Sequence, residues 1–225
     1  MKASAPKTTL SSPLQGGASG LGRPGAGSFI YLASQSPRRS QLLTQLGVRH
    51  ELLLAGPEED AESLEAELDG ELPAAYVERV THAKLHAARK RWKARGLPPA
   101  PILCSDTTVA LGPRILGKPA DAADARNTLS MLSGRTHRVI TAVALAWADN
   151  EALAVNVSHV RFAEVSEAEI IAYVNSKEPF GKAGAYAIQS AAAAWIAHID
   201  GSYSGIMGLP LYETAQLLKQ AGVKF

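Results

Sequence analysis

After an N-terminal stretch without regular pattern, short apolar runs that predict β-strands alternate with amphipathic segments that predict α-helices. Residues 29–33 form the first apolar run. Ser36-Pro37 then supplies a helix cap and a first-turn proline, and the apolar stripe that follows ends at Gly47. Such alternation is typical of an α/β fold, and we predict one α/β domain over residues 29–225.

The other predicted elements follow from the same patterns and from cap residues. Asp121 is expected to cap one helix, and Ser166 with Glu169 forms a capping box at the start of another. Asp149-Asn150 marks the turn of a hairpin. Helices are predicted over 73–95, 121–132 and 210–221 and after Ser166, and strands over 101–111, 139–147, 153–162 and 192–199.

Residues 1–28 are predicted to be a flexible low-complexity extension. They contain six Gly, three Pro and five Ser, and cannot bury enough apolar surface to offset the entropy of ordering. Gly20, Gly22 and Gly25 spell G-x-G-x-x-G, the fingerprint of dinucleotide binding. That motif requires a strand before it and a helix after it, and neither is predicted here. A dinucleotide site is therefore not expected in this segment.

Composition excludes several classes of protein. No apolar run approaches the roughly 18 residues of a membrane-spanning helix, so an integral membrane protein is not expected. A single cysteine, Cys104, excludes intrachain disulfides and a cysteine-rich zinc cage, and favours a reducing, intracellular environment. The formal net charge of +2 is unevenly distributed: no acid precedes Glu51, so residues 51–225 carry a net negative charge. This negative charge and the low aromatic content, 6%, disfavour nucleic-acid binding.

Two arginines stand where a helix is predicted to begin. The first turn of a helix carries unpaired N–H groups and partial positive charge, so helix stability alone favours acids there. Arg38 and Arg39 follow a strand and a tight polar loop that contains Ser34 and Ser36. Strand, loop and helix start together suit an anion such as a phosphate. A solvated arginine pair remains the alternative.

Asp106 interrupts the strand predicted over 101–111, which otherwise has the pattern of a buried strand. Burial of an unpaired carboxylate costs several kcal/mol, so Asp106 should be paired, bound to a metal or placed at a cleft. An edge-strand aspartate facing water is the alternative. Lys118, in a Gly-Lys-Pro turn, is a second candidate for a functional-site residue, although a lysine in a loop is more commonly only solvated.

Weaker signals point to metal ions. Glu58, Glu59 and Asp60 could bind a divalent cation through oxygen ligands, although acidic runs usually form solvated loops. His82 and His86 share one helix face at i and i+4, but the central glutamate of H-E-x-x-H is missing. No G-x-S-x-G elbow and no G-x-x-x-x-G-K-[ST] loop is present, which disfavours serine hydrolases and P-loop NTPases.

Several ordered motifs together resemble the Maf-type nucleoside triphosphate pyrophosphatases. The similarity extends from about residue 30 to the C-terminus. Several motifs in the right order are far more specific than any one of them. The motifs are LASQSPRR at 32–39, SDT at 105–107, ILGKP at 115–119, LSGRTH at 132–137, KAGAYAIQ at 182–189 and GSYSGIMGLP at 201–210.

The resemblance implies cytosolic enzymes that hydrolyse a nucleoside triphosphate between its α and β phosphates and release the monophosphate and pyrophosphate. It implies a mixed α/β fold in which a curved sheet and flanking helices form two lobes around an active-site cleft. A divalent cation, Mg²⁺ or Mn²⁺, is expected to assist. Homodimers are expected, whereas nucleic-acid and membrane partners are not.

The resemblance also assigns roles to individual residues. Asp106 matches the proton acceptor that activates water. Arg38, Thr107 and Gln189 match positions linked to the choice of base. Ser34, Glu59, Lys84 and Lys118 match the polar cleft for phosphates and metal, and to these we add Ser36 and Arg39 from the anion-site argument. Glu59 and Asp106 are the candidate metal ligands, although Asp106 could serve as base or as ligand.

Within that family, the segment that ends at Gln189 resembles the branch that acts on dTTP and UTP. A glutamine amide offers a donor and an acceptor to the N3–H and C4 carbonyl of a pyrimidine. A 7-methyl-GTP or other modified-nucleotide pyrophosphatase, or a weakly catalytic nucleotide-binding regulator of cell division, are the alternatives. Ser190 departs from the family, where glycine is common; if the backbone must approach the base there, Ser190 would alter selectivity.

Overall fold

A computed structural model describes residues 9–10, 29–60 and 63–225. The dinucleotide-like motif and most of the predicted N-terminal extension lie outside the described residues. In the described part of the chain, no helix is long and apolar enough to cross a membrane.

The described chain forms eight strands and six α-helices around one sheet. Three 3-10 turns lie between them, at Ser63–Glu65, Ala183–Ala185 and Ala191–Trp195. The strands are β1 (Thr9–Leu10), β2 (Ile30–Leu32), β3 (His50–Leu52), β4 (Ile102–Leu111), β5 (Arg114–Leu116), β6 (Thr136–Trp147), β7 (Asn150–Phe162) and β8 (Ile196–Asp200). The helices are α1 (Pro37–Gln45), α2 (Pro73–Ala94), α3 (Ala122–Leu132), α4 (Glu167–Asn175), α5 (Tyr203–Met207) and α6 (Leu211–Gln220).

The sheet is mixed, with strand order β1-β7-β6-β4-β2-β3, and β5 and β8 pair off this path with β4 and β7. Strand β2 is parallel to both of its neighbours, β3 and β4, whereas the remaining pairs are antiparallel. The chain leaves β2 toward β3 on one side and returns by α2 to β4 on the other. The carboxyl end of β2 is therefore a topological switch point, the place where α/β sheets bind ligands.

Helices cover both faces of the sheet. On one face, α2 packs Val77, Val80 and Leu85 against alternate residues of β4, including Ile102 and Cys104. On the other face, α1 and α6 form a second cluster with Leu103, the intervening residue of β4. A third cluster lies under α3 and α4, around Phe162. Successive residues of β4 thus point alternately toward α2 and toward α1.

Much of the predicted secondary structure is confirmed. Helix α2 spans Pro73–Ala94, the Asp121 side chain accepts a hydrogen bond from the backbone N–H of Asp124, and both hydrogen bonds of the Ser166 capping box are present. The mixed α/β sheet flanked by helices agrees with the expected fold class.

One predicted element is wrong in its extent. The strand expected over 192–199 is a 3-10 turn at Ala191–Trp195, followed by β8 at Ile196–Asp200. The run of alanines there offers neither the branched side chains nor the alternation that a strand uses. Strands β1, β3 and β5 and helix α5 have no counterpart among the predicted elements, and β1 lies within the segment predicted to be a flexible extension.

Candidate active site

The floor of the candidate site is a gap in the pairing of β4. On one edge β4 pairs with β2 only through Ile102 and Leu103, and with β5 only from Val109 onward. On its other edge it pairs with β6 without interruption. Because β2 ends and turns toward α1, no described strand pairs with residues 104–108 on the edge that faces β2. Ser105, Asp106 and Thr107 lie at this opening.

The pleat of β4 sends Asp106 toward α2. Asp106 is 7% exposed, and its Oδ1 accepts a hydrogen bond from Lys84 Nζ at 2.5 Å. Glu65 accepts from Lys84 through Oε1 and from Lys118 through Oε2, both at 2.6 Å. Two carboxylates and two lysines therefore form one connected network.

Glu65 is the member of that network that sequence patterns do not indicate. Burial raises the pKa of its carboxyl, but the charges of Lys84 and Lys118 and their hydrogen bonds outweigh burial, and the net pKa lies below its usual range. Glu65 is therefore an anion that faces the cleft.

The loop between β2 and α1 forms the second part of the site. Ser36 occupies the N-cap position of α1 without a side-chain cap, Pro37 follows it, and the first turn contains no acid. Ser34 Oγ instead accepts from the backbone N–H of Ser36 and from Arg39 Nη1, each at 3.2 Å. A helix start with basic rather than acidic neighbours is an anion-binding arrangement.

The two arginines are held by uncharged oxygens. Arg39 Nε donates to the carbonyl of Gly208 at 2.8 Å, and its Nη2 lies 3.4 Å from Thr107 Oγ1. Arg38 Nε donates to the carbonyl of Met207 at 3.3 Å. Burial lowers the pKa of both guanidinium groups, and for Arg39 the charge of Asp106 acts in the opposite direction. Arginine remains cationic in proteins, so both groups bring positive charge to the cleft.

Glu59 lines the cleft and pairs with an arginine of α2. Both of its carboxylate oxygens accept from Arg91, at 2.7 and 2.6 Å, and the backbone N–H of Gly56 adds a third hydrogen bond. The hydrogen bonds from Arg91 lower the pKa of Glu59 to about 2. A carboxylate with both oxygens in a bidentate arginine pair has little capacity left for a cation.

Residues 181–189 form the opposite wall of the cleft. Gly184 has a φ of +69°, and a Cβ there would lie 2.8 Å from the Val109 side chain, so the turn requires glycine. The hydroxyl of Tyr186 lies 2.7 Å from Nε2 of buried His137, whose pKa is lowered to about 4 by burial. A neutral imidazole thus fixes the tyrosine that lies three residues before Gln189.

Ser190 does not act through the backbone as a glycine would. Its φ is −105°, a conformation open to any residue. Its hydroxyl donates to the carbonyl of Ala187 at 2.9 Å and lies 3.1 Å from the hydroxyl of Tyr173. The side chain is therefore engaged with its own turn and with α4.

These walls enclose one cleft of about 820 Å³. It contains all ten residues that the sequence analysis selected: Ser34, Ser36, Arg38, Arg39, Glu59, Lys84, Asp106, Thr107, Lys118 and Gln189. His82 and His86 do not line it. A cleft lined by several cations, with a carboxylate on its floor, can hold a polyanion and accept a proton beside it.

Three further residues of the cleft were not selected from the sequence. Arg91 lies seven residues after Lys84, two helical turns along the same flank of α2, so helix periodicity could have indicated it. Lys182 opens the KAGAYAIQ motif, and burial together with the charge of Arg38 lowers its pKa. Glu65 lies in a short 3-10 turn that has no recognisable pattern.

Comparisons with known proteins agree with one another. The profile of the family described as "Maf-like protein" matches residues 29–221. A "dTTP/UTP pyrophosphatase" from Albidiferax ferrireducens is 64% identical over 196 residues, 87% of this chain and 98% of the relative. Proteins of the same name from Polaromonas sp. and Ralstonia nicotianae are 61% and 63% identical over 199 and 195 residues, which cover 88% and 86% of this chain and 98% and 94% of those relatives.

The contacts of Ser190 predict that it stabilises the fold without selecting the base. Ser190→Gly should lower the free energy of unfolding by about 1 to 2 kcal/mol, because two hydrogen bonds are lost and the unfolded chain gains freedom. The ranking of nucleoside triphosphates by affinity should not change. Urea denaturation and nucleotide titrations measure the two effects, with Ser190→Ala as the control that removes only the hydroxyl. A changed ranking in both variants would contradict the assignment.

Proposed function

This chain belongs to the family of Maf-like proteins, and from that premise we propose that it hydrolyses dTTP and UTP to the monophosphate and pyrophosphate. The observation that carries the proposal is the shared cleft, in which Arg38 and Arg39 at the start of α1 open onto the same space as Lys84 and Asp106. The relatives that bear the name dTTP/UTP pyrophosphatase match along almost their whole length.

The distribution of charge suits a triphosphate, which carries about four negative charges near neutral pH. Arg38 and Arg39 belong to the first turn of α1, and Lys84, Lys118 and Lys182 line the same cleft. Ser34 and Ser36 add hydroxyl groups and the backbone N–H groups of a helix start. These cations can hold the α phosphate while they stabilise the charge that develops on the leaving pyrophosphate.

We assign the role of general base to Asp106. Its carboxylate is buried on the floor of the cleft and is oriented by the ammonium group of Lys84. We propose that the Asp106 carboxylate accepts the proton of the attacking water. The oxygen of that water bonds to the α phosphorus, the bond to the bridging oxygen breaks, and pyrophosphate departs with the bonding electrons.

The proposal includes a divalent cation, Mg²⁺ or Mn²⁺, and both metals prefer oxygen ligands. Oxygens of Asp106 and Glu65 both accept from Lys84 Nζ, so a cationic group already lies between two carboxylates. Glu59 fits less well because a single bidentate guanidinium, that of Arg91, holds both of its oxygens, whereas each oxygen of Glu65 accepts from a different lysine. We therefore propose Asp106 and Glu65 as the ligands. When bound, the ion would withdraw charge from the phosphate oxygens.

Base selection is assigned to Arg38, Thr107 and Gln189. Gln189 lies in the cleft with Arg38 and Thr107. The amide of Gln189 can accept from N3–H of a pyrimidine and donate to its C4 carbonyl oxygen. A cytosolic location and a homodimer, which the family resemblance implies, complete the proposal; sedimentation of the purified chain would test the dimer.

The proposal is tested by pyrophosphate release with Mg²⁺ over a panel of nucleotides. The panel contains dTTP, UTP, the other canonical triphosphates, 7-methyl-GTP and modified pyrimidine triphosphates. We expect dTTP and UTP to have the highest kcat/KM. Highest turnover with 7-methyl-GTP would replace the base assignment, and tight binding without turnover of any nucleotide would favour a regulator.

Asp106→Asn should lower kcat by at least 100-fold, because the amide keeps the shape of the side chain but cannot take the proton of water. Circular dichroism and nucleotide binding should remain close to those of the unchanged protein. Thr108→Ser, a conservative change at a neighbouring buried strand residue, is the matched control. Activity within a few-fold of the unchanged protein would remove Asp106 from the mechanism.

Gln189→Glu should reduce kcat/KM for dTTP and UTP by about 10- to 1,000-fold, because a carboxylate cannot donate to the C4 carbonyl. Purine triphosphates should be affected less, so the ranking of substrates should change. Gln35→Glu, which places the same charge elsewhere in the cleft lining, controls for electrostatics. An equal loss for all nucleotides would show that Gln189 does not read the base.

Glu65→Gln should raise the Mg²⁺ concentration needed for half-maximal rate by about tenfold or more, since one anionic ligand is lost. A titration of rate against free Mg²⁺ at saturating dTTP provides the measurement. Glu59→Gln should shift that midpoint much less, because Glu59 serves Arg91. If the Glu65 variant instead lowers the KM for dTTP and leaves the metal midpoint unchanged, Glu65 competes with phosphate and is not a ligand.

A further inference from the structure

The histidine pair of α2 acquires a third partner in the folded chain. Glu151, the second residue of β7, lies on the face of the sheet that α2 covers. Its Oε1 lies 2.7 Å from Nδ1 of His82, and its Oε2 lies 3.4 Å from Nε2 of His86. A carboxylate from a strand distant in sequence thus joins the two histidines of the helix.

The three side chains are arranged so that one ion can reach all of them. One ligand atom from each of His82, His86 and Glu151 lies within 4.8 Å of the others. The glutamate is 9% exposed, whereas the histidine side chains are 35% and 62% exposed, so the cluster opens to solvent on the histidine side. An ion could enter from there and keep a water molecule as its fourth ligand.

This cluster is separate from the cleft. With 3.6 residues per turn, α2 directs Lys84 and Arg91 to one flank and His82, His86 and Arg89 to the other. The first two line the cleft and the other three do not. The apolar face that contains Val77 and Leu85 lies between the two flanks and packs on the sheet.

We propose that His82, His86 and Glu151 form a binding site for a transition-metal ion of the zinc type. Two imidazole nitrogens and one carboxylate oxygen are the donors that Zn²⁺ uses in three-residue sites, and Ni²⁺, Cu²⁺ and Co²⁺ accept the same set. Mg²⁺ prefers oxygen ligands and should not compete. A bound ion would join the middle of α2 to the end of the β6–β7 hairpin.

The surrounding charges determine the strength of the site. Arg89 Nη1 lies 3.4 Å from Glu151 Oε2 and opposes a bound cation, whereas Glu78 adds negative charge near His82. A proton also competes with the metal ion for His82, because the hydrogen bond with Glu151 raises the pKa of that histidine. Metal binding requires neutral imidazole, so affinity should increase as the pH rises from 6 to 8.

The test is titration of the metal-free, full-length protein with Zn²⁺ by calorimetry and with Co²⁺ by visible absorption at pH 7.5. We expect one ion per chain, tetrahedral Co²⁺ bands and a higher midpoint of thermal unfolding with Zn²⁺. His86→Ala and His82→Ala should each weaken binding by at least about tenfold and abolish the thermal shift. Arg89→Gln should strengthen binding.

Two controls place the ion at this cluster. His198→Ala removes an exposed histidine elsewhere on the surface and should leave binding unchanged. Asp106→Asn removes the proposed ligand of the cleft and should also leave Zn²⁺ binding unchanged, so the result does not depend on the proposed enzymatic activity. The proposal is overturned if Zn²⁺ and Co²⁺ bind no more tightly to the unchanged protein than to His86→Ala, or if Asp106→Asn alone abolishes binding.

Discussion

The position of Lys84 between Asp106 and Glu65 is the constraint on which the site depends. Asp106 lies in the middle of a buried strand, where an uncompensated carboxylate would cost several kcal/mol. The ammonium of Lys84 compensates it only if α2 packs on the sheet at one height and one rotation, with Val80 and Leu85 beneath. The packing that forms the core on this face therefore also places the charge on the floor of the cleft.

The shortness of β2 provides the space that this charge requires. Three residues suffice to pair β2 with β3 and β4, and the chain then leaves the sheet toward α1. The start of α1, with its unpaired N–H groups and two arginines, consequently faces the unpaired stretch of β4. A longer β2 would pair with Asp106 and close the opening. The anion site and the acid on the floor thus arise from one interruption of the sheet.

The sequence alone predicts those site residues whose type is unfavourable for stability at their position in a helix or strand. Arg38 and Arg39 stand where a helix prefers acids, and Asp106 stands where a strand prefers apolar residues, so each signals a role beyond folding. Glu65 gives no such signal, because an acid in an exposed loop is ordinary and only the fold brings it to Lys84. Strand β3 and helix α5 escape prediction because both are short: β3 is a three-residue, mostly exposed edge strand, and the five residues of α5 are too few for an apolar stripe.

Helix α2 contributes side chains both to the cleft and to the proposed metal site, and the two sets do not overlap. Lys84 and His82 are two residues apart, yet the helical period places them on opposite flanks of the apolar face that packs on the sheet. Each acidic group then has its own cations: Asp106 faces Lys84, and Glu151 faces His82, His86 and Arg89. The apolar face thus separates the two groups, and each of these ion pairs stays within its own group.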